Sequence, residues 1–366
     1  MLKPSERFSP EIESLRGLAA LMVAGLHSFQ CWFAFRQPDA AKVPNPFFDF
    51  FCGAGASAVT LFFVISGFVL MGSIDRMRNA GLLAMFGEFT WKRVARIYPA
   101  VVIITVVFAV VSPGLFLNSG GFPGWGRTLQ NASLWATDLI GPTWSTRVEV
   151  VATPLFFLGW LVRRRGAWFL LALGVLLAAL AFVPRLYAGD LTGKYLFVFI
   201  LGMLLPDLGD LFKRLPAVLT PVLFLAAVIL GVRSRLGAPE WHYEPAILRE
   251  AVCGAVLVGL VAFGELGWFR TVLLLVPVRG FGRISFSFYL LHFPVVLMLV
   301  RHLPEWAVTN PTGGNVTLAA SVVWLLTIVI TIPLSCLSWL SIEKPGIALG
   351  KLMIRRSQGT LPSPAT

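Results

Sequence analysis

The sequence predicts an all-α fold: a polytopic membrane helix bundle of about ten transmembrane helices with both termini cytoplasmic. Three observations carry this expectation. The chain has 366 residues, of which 57% are hydrophobic and 13% charged, whereas soluble domains sit near half apolar and a quarter charged. Apolar runs of roughly 17–25 residues, the length that crosses a hydrocarbon core, recur from end to end. The basic residues cluster in alternate loops.

The N-terminus is polar as far as Arg16 and lacks a small-residue cleavage site, so it does not read as a removable signal peptide. The first span, 17–35, follows in "RGLAALMVAGLH". Arg16 and His27 are eleven residues apart, close to three helical turns, so they share one face. At the rise of an α-helix His27 lies about 16 Å deeper than Arg16. Arg16 then sits at headgroup level and His27 near mid-bilayer, both facing the bundle interior. The ordinary role of a lone membrane histidine is a bond to a neighbouring carbonyl. Its pairing with an arginine on one face favours function instead: imidazole accepts protons near neutral pH, and guanidinium suits phosphate.

The second span, 54–73, contains "VTLFFVISGF", in which Ser66-Gly67 permits close helix approach or a break lining a cavity. The third, 97–117, is preceded by "WKRVARIYP". There Arg93 and Arg96 form one basic surface, either an anchor or a dock for a polyanion such as coenzyme A. The fourth, 146–162, is entered from outside through "GPTWSTRVEV". Trp144 fits an interfacial belt, and Glu149 needs a partner within the bilayer, with Arg147, Arg16 and His27 as candidates. A descending Glu149 and a rising His27 would meet at mid-depth, where the carboxylate orients the imidazole.

Spans five to eight are the apolar runs 167–184, 191–206, 215–232 and 246–263; the sixth is short, and the eighth carries Arg249 and Glu250 near its start. "WFRTVLLLVPV" at 268–278 is too short to span and suits the interface. The ninth, 284–301, begins in "GRISFSFYLLHFP", which puts His292 near the depth of His27 and suggests a shared cavity. The tenth is 317–340. Residues 1–350 form one transmembrane domain, and 351–366 a disordered cytoplasmic tail.

With the N-terminus inside, twenty of the thirty basic residues, Lys3, Arg7 and Arg78 among them, fall on the cytoplasmic side. The net charge of +12 is then a topology signal, and nucleic-acid binding is not expected. Cys31, Cys52, Cys253 and Cys336 show no metal spacing and read as small apolar residues; a Cys31–Cys52 disulfide has no support beyond their proximity to one loop. His242 and His302 fall in outer loops as surface residues. No metal site is expected.

Together these segments resemble the membrane acyltransferase-3 family, the O-acyltransferases of bacterial polysaccharides, lipopolysaccharide O-antigens and other glycans. "RGLAALMVAGLH" is similar to its arginine–ten residues–histidine motif, "VTLFFVISGF" to its second-helix signature and "RVARIYP" to its R-x-x-R-x-x-P pattern. "WSTRVE" resembles W-S-x-x-x-E, "GRISFSFYLLHFP" the late Y-L-x-H-x-P segment, and "IEKP" the closing Glu-Lys-Pro. Thr146, Ala152 and Thr153 stand where the family shows leucine and aromatics, which bears on the acceptor pocket. An SGNH-type esterase domain, present in some relatives, is not expected.

The resemblance implies a bacterial cytoplasmic-membrane O-acyltransferase. Its donor is cytoplasmic acyl-CoA, acetyl-CoA first, and its acceptor a glycan or lipid-linked sugar amid membrane lipid. Arg16, Arg93 and Arg96 would hold the donor phosphates. His27 would act as general base or carry the acyl group, with Glu149 orienting it. Trp144, Ser145, Ser66, Tyr289 and His292 would contact substrate. The runner-up from buried His and Glu is a proton-coupled secondary transporter, although no inverted repeat is apparent.

Overall fold

The computed structural model describes residues 9–36, 45–77, 81–115, 121–183, 191–236, 243–303 and 316–357. Lys3, Arg7, Arg78, His242 and the tail beyond residue 357 lie outside the described residues. Among the described residues the fold is all-helical. The long apolar helices are α1 (Pro10–Arg36), α2 (Pro46–Asp75) and α3 (Leu82–Leu115). A short α4 (Trp125–Ala132) precedes α5 (Thr143–Val151) and α6 (Thr153–Arg163). Then come α7 (Ala167–Ala181), α8 (Thr192–Lys213), α9 (Leu219–Arg233) and α10 (Glu244–Phe263). The chain ends with α11 (Trp268–Leu274), α12 (Val276–His302), α13 (Val316–Ser338) and α14 (Lys344–Ser357), the last two joined by a π-helical turn, Trp339–Glu343.

Every expected span falls on a helix among the described residues, but not every one of these helices is long enough to cross a membrane by itself. Among the described residues seven helices are long and apolar enough to cross a membrane, or eight if α5 and α6 are one span bent by 43°. The chain is a multi-pass membrane protein. The helices α7 and α9 have 15 residues each, about 22 Å of rise, short of the roughly 30 Å core. The 268–278 run is divided: 268–274 forms α11, and Leu275, at φ −56° and ψ 136°, breaks the helix before α12. Pro277 sits in the first turn of α12, where its missing N–H costs nothing. The ninth span therefore begins earlier than expected. The last span extends through the π turn as one apolar stretch, Thr317–Ile354, so Lys351–Ser357, expected in the tail, is helical.

Local chemistry sets the helix ends near the site. Asn45 caps α2 by accepting from the Phe47 and Phe48 amides at 3.0 and 3.1 Å, with Pro46 at the first helical position. Arg36, ending α1, donates to the carbonyls of Val300 (2.7 Å), Arg301 (3.1 Å) and Leu303 (2.8 Å). It thereby satisfies the open end of α12 with a charge its dipole favours.

Two of the bundle's backbone-close crossings position the elements around the site. A Cβ at Gly17 of α1 would lie 2.9 Å from the Phe281 ring and 3.0 Å from the Gly282 amide of α12. A Cβ at Gly67 of α2 would overlap the Phe199 carbonyl of α8, and one at Gly202 would overlap the Val64 carbonyl. Small residues allow this approach, and dispersion between the backbones replaces the missing hydrophobic drive in lipid. The α2–α8 crossing centres on buried Phe63, Phe156, Tyr195 and Phe199.

The residues that lead into α5 pack on the side of α3. Leu134 and Ile140 are buried against Ile97, Ala100, Val101 and Ile104 of α3, so α5 starts part-way along α3. Asp138 staples this segment. Its carboxylate accepts from Arg127 Nε at 2.6 Å and Asn131 Nδ2 at 2.8 Å, while Asn131 Oδ1 accepts from the Leu139 amide at 3.0 Å. The four cysteines are free thiols, with no disulfide between Cys31 and Cys52.

Gly67→Ala is expected to lower the unfolding midpoint in detergent, costing about 1–3 kcal/mol through overpacking. Gly87→Ala, which meets nothing within 4 Å, is the tolerated control; equal midpoints would contradict the crossing. Burial raises the Asp138 carboxyl, but the Asn131 and Arg127 hydrogen bonds outweigh it and hold the group below the usual carboxylate value. Its contribution is therefore full above the unfolded pKa, about 3.9, and is lost as pH falls through the lower folded value. The Leu139 amide should lose exchange protection, corrected for intrinsic rate, between about pH 5 and pH 2. Constant protection would show that the staple does not hold the segment.

Candidate functional site

Polar residues gather at two levels of the bundle. At the first, Glu149 of α5 accepts a hydrogen bond from Ser66 Oγ of α2 at 3.0 Å. Arg93 of α3 is buried, and its Nη2 lies 3.4 Å from Glu149 Oε1. The same guanidinium donates to the Glu149 carbonyl at 2.9 Å and to Thr153 Oγ1 at 3.1 Å. It therefore stitches the bend where α5 passes into α6, and the rings of Phe156 and Phe89 flank it at 5.0 and 5.9 Å.

Arg96 sits three residues on, about 60° around the helix from Arg93, and faces a different neighbourhood. Arg16, Arg96 and Glu343 interact electrostatically, and Arg16 also lies in range of Glu149. Glu343, 3% exposed, is turned inward at the end of the π turn and accepts from Ser287 Oγ of α12. Ser338 Oγ extends that chain at 2.8 Å. Such extra-residue turns recur where a helix must aim one side chain inward.

At the second level His27 lines a cavity of about 120 Å³ with Gln30, Trp144, Tyr195, Arg235 and Tyr289. Gln30 hydrogen-bonds the His27 side chain. The His292 ring stacks on His27 with centroids 5.4 Å apart and planes at 29°; Phe293 meets the His27 ring edge-on at 5.2 Å. His292 is fully buried, its Nδ1 is 3.3 Å from the Phe288 carbonyl, and its Nε2 has no partner. Nδ1 thus carries the hydrogen and Nε2 the lone pair. The Tyr289 hydroxyl lies 2.7 Å from Ser145 Oγ and 3.1 Å from the Pro142 carbonyl. Ser145 Oγ also lies 3.1 Å from the Pro142 carbonyl, so the two hydroxyls share that acceptor, one donating to it and the other to its neighbour.

The structure brings together Arg16 with Arg96, Arg93 with Glu149 and Ser66, and His27 with His292, Tyr289 and Trp144. It does not bring Glu149 to His27. Glu149 binds Ser66, seven residues beyond cavity-lining Val59 on α2, which is about 10 Å along the axis. The reason is that α5 begins part-way along α3, so Glu149 arrives at the level of Arg93 rather than of His27. Nor do Arg93 and Arg96 form one basic surface, since Arg93 points inward under α6. A second cavity, of about 300 Å³, lies against Arg93, Thr90, Tyr98 and Thr153, and neither it nor the His27 cavity is lined by Arg16. Tyr289 bridges the levels, lining the His27 cavity and sitting in electrostatic range of Glu149.

Sequence reading passed over Gln30, Tyr195, Arg235 and Glu343 as site residues. Glu343 lies in the "IEKP" segment, a carboxylate beside an apolar run that asked for a partner. Arg235 gave no signal, because a basic residue after a span reads as loop.

No solved structure matches this chain. A similar protein is the peptidoglycan O-acetyltransferase OatA of Listeria monocytogenes serovar 1/2a, 23% identical over 362 residues. That match covers 88% of this chain and 54% of the relative, so the chain spans about half the relative's length. The family model described as an acyltransferase domain, acyltransferase-3, matches residues 9–340. With a match across nearly its whole length, the chain belongs to the acyltransferase-3 family and carries its acyltransferase domain.

Proposed function

We propose that this protein is a membrane O-acyltransferase of the bacterial cytoplasmic membrane, with both termini in the cytoplasm. It moves an acyl group, acetyl in the first instance, from cytoplasmic acyl-CoA to a hydroxyl of a cell-surface glycan or its lipid-linked precursor. The observation that carries this reading is His27 in a cavity that it shares with Gln30, Arg235 and Tyr289, eleven residues along one helix from Arg16. The separation, about 16 Å, is of the order of an extended pantetheine arm between phosphates and thioester. The relative named for peptidoglycan O-acetylation supports an acetyl donor and a glycan acceptor.

The donor's phosphates bind Arg16 and Arg96, which Glu149 and Glu343 hold charge-compensated while the site is empty. Arg93 shapes this level by fixing the α5–α6 bend. The thioester extends past Tyr289 to His27. The acceptor hydroxyl gives its proton to the His27 imidazole as its oxygen attacks the thioester carbonyl. The C–O bond forms, the C–S bond breaks, and the imidazolium returns the proton to the leaving thiolate. His292, anchored on the Phe288 carbonyl, backs the His27 ring and limits its rotation.

His27→Ala in proteoliposomes supplied with acetyl-CoA and a glycan acceptor should lose at least about 100-fold of the transfer rate, the usual worth of a general base. Acylation at the wild-type rate removes the mechanism. Arg16→Gln is expected to raise the KM for acetyl-CoA about tenfold or more, the value of a charge-assisted hydrogen bond, with a smaller effect on kcat. An unchanged KM would take Arg16 out of the donor site.

A further inference from the structure

One buried charge pair takes no part in that transfer step. Glu250 of α10 is 1% exposed. Its carboxylate receives Arg235 Nε at 2.6 Å and Nη2 at 2.9 Å, Ser234 Oγ at 2.8 Å and Thr60 Oγ1 at 2.8 Å. Four donors from three residues, at the end of α9 and on α2, fix both oxygens, so the guanidinium plane is fixed too. The same guanidinium lines the His27 cavity, beside Tyr195, to which it is hydrogen-bonded.

A buried ion pair is a poor stabiliser, and apolar residues of similar volume generally hold a bundle as well or better. The position of this one suggests a different use. An arginine fork carries five N–H donors; Glu250 engages two and Tyr195 is bonded to the same group, while the guanidinium also forms part of the cavity wall. Glu250 also cancels the arginine's charge, so the cavity selects a neutral, oxygen-rich group over a free anion. Trp144 and Tyr195, with centroids 5.3 Å apart, add flat apolar faces suited to the C–H face of a sugar ring. Gln30 adds an amide beside His27.

We propose that Arg235 is the acceptor-recognition residue: it holds a neutral sugar through an oxygen next to the hydroxyl that His27 deprotonates, and Glu250 positions it. The assignment rests on the acyl-transfer reading and names the acceptor side of that site. Arg235→Met alone leaves Glu250 buried without its cation, so the double variant Arg235→Met/Glu250→Leu is tested beside it. That pair removes both charges together and preserves volume.

The experiment uses the full chain in proteoliposomes with acetyl-CoA and two neutral probes, N-acetylchitotetraose and maltotetraose. Tetragalacturonate is the charged counterpart. Thiol release reports total donor consumption, and mass spectrometry reports O-acetylated probe, so each variant gives a ratio of transfer to hydrolysis. The neutral probes should outcompete the charged one. Both variants should raise the probe KM and shift the ratio toward hydrolysis, each by about tenfold, the worth of one lost charge-assisted bond. A folded double variant with the wild-type KM and ratio overturns the proposal, as does an equal fall in thiol release and transfer. Wild-type protein that releases thiol yet acylates neither neutral probe also overturns it. Wild-type protein that releases no thiol with or without probe contradicts the acyl-transfer reading itself.

Discussion

The parallel packing of α1 on α12 sets the depth of the polar residues on both. Gly17 meets Gly282 with backbones in contact, His27 stacks on His292, and Arg36 closes the end of α12. These three points lie in register along two helices that run the same way. Because the spacing along a helix is fixed at about 1.5 Å per residue, one close contact at Gly17 determines where His27 sits. A side chain at either glycine would separate the helices and move one imidazole away from the other.

The second constraint is electrostatic. Charged groups within a membrane bundle are costly unless paired, and this bundle pairs them by level. Arg93 is committed to Glu149 and to the carbonyl at the α5–α6 bend, which makes it part of the scaffold. Arg16 and Arg96 face Glu149 and Glu343, two carboxylates that an incoming polyanion must compete with. Arg235 is held by Glu250 at the far level. The basic character of the chain is thus spent locally, and the cavity around His27 is polar without carrying an unbalanced charge.

Much of this was legible in the sequence, for identifiable reasons. The Arg16–His27 relation depends only on helical periodicity, and the helix is regular there. His292 was placed at the depth of His27 by the same counting from Arg283. Counting failed where the chain is irregular. Glu149 was assigned to the wrong level because α5 starts part-way along α3, after a segment held by Asp138 and Asn131, and nothing in the apolar pattern marks that. The apolar runs at α7 and α9 looked like full spans because hydropathy does not report where a 15-residue helix ends. Glu343 turns inward through a π turn, one residue out of phase with α-helical expectation. Arg235 and Glu250 stand apart in the sequence, and only the packing of the end of α9 against α10 brings them together over one carboxylate.

The most direct measurement of the central claim is a cryo-EM map of the protein in nanodiscs with a non-hydrolysable acetyl-CoA thioether analogue. Phosphate density against Arg16 and Arg96, with the arm passing Tyr289 and the carbonyl beside His27, is the expected result. An analogue seated elsewhere, or a His27 ring sealed from it by unmoved packing around Tyr289, would contradict the account.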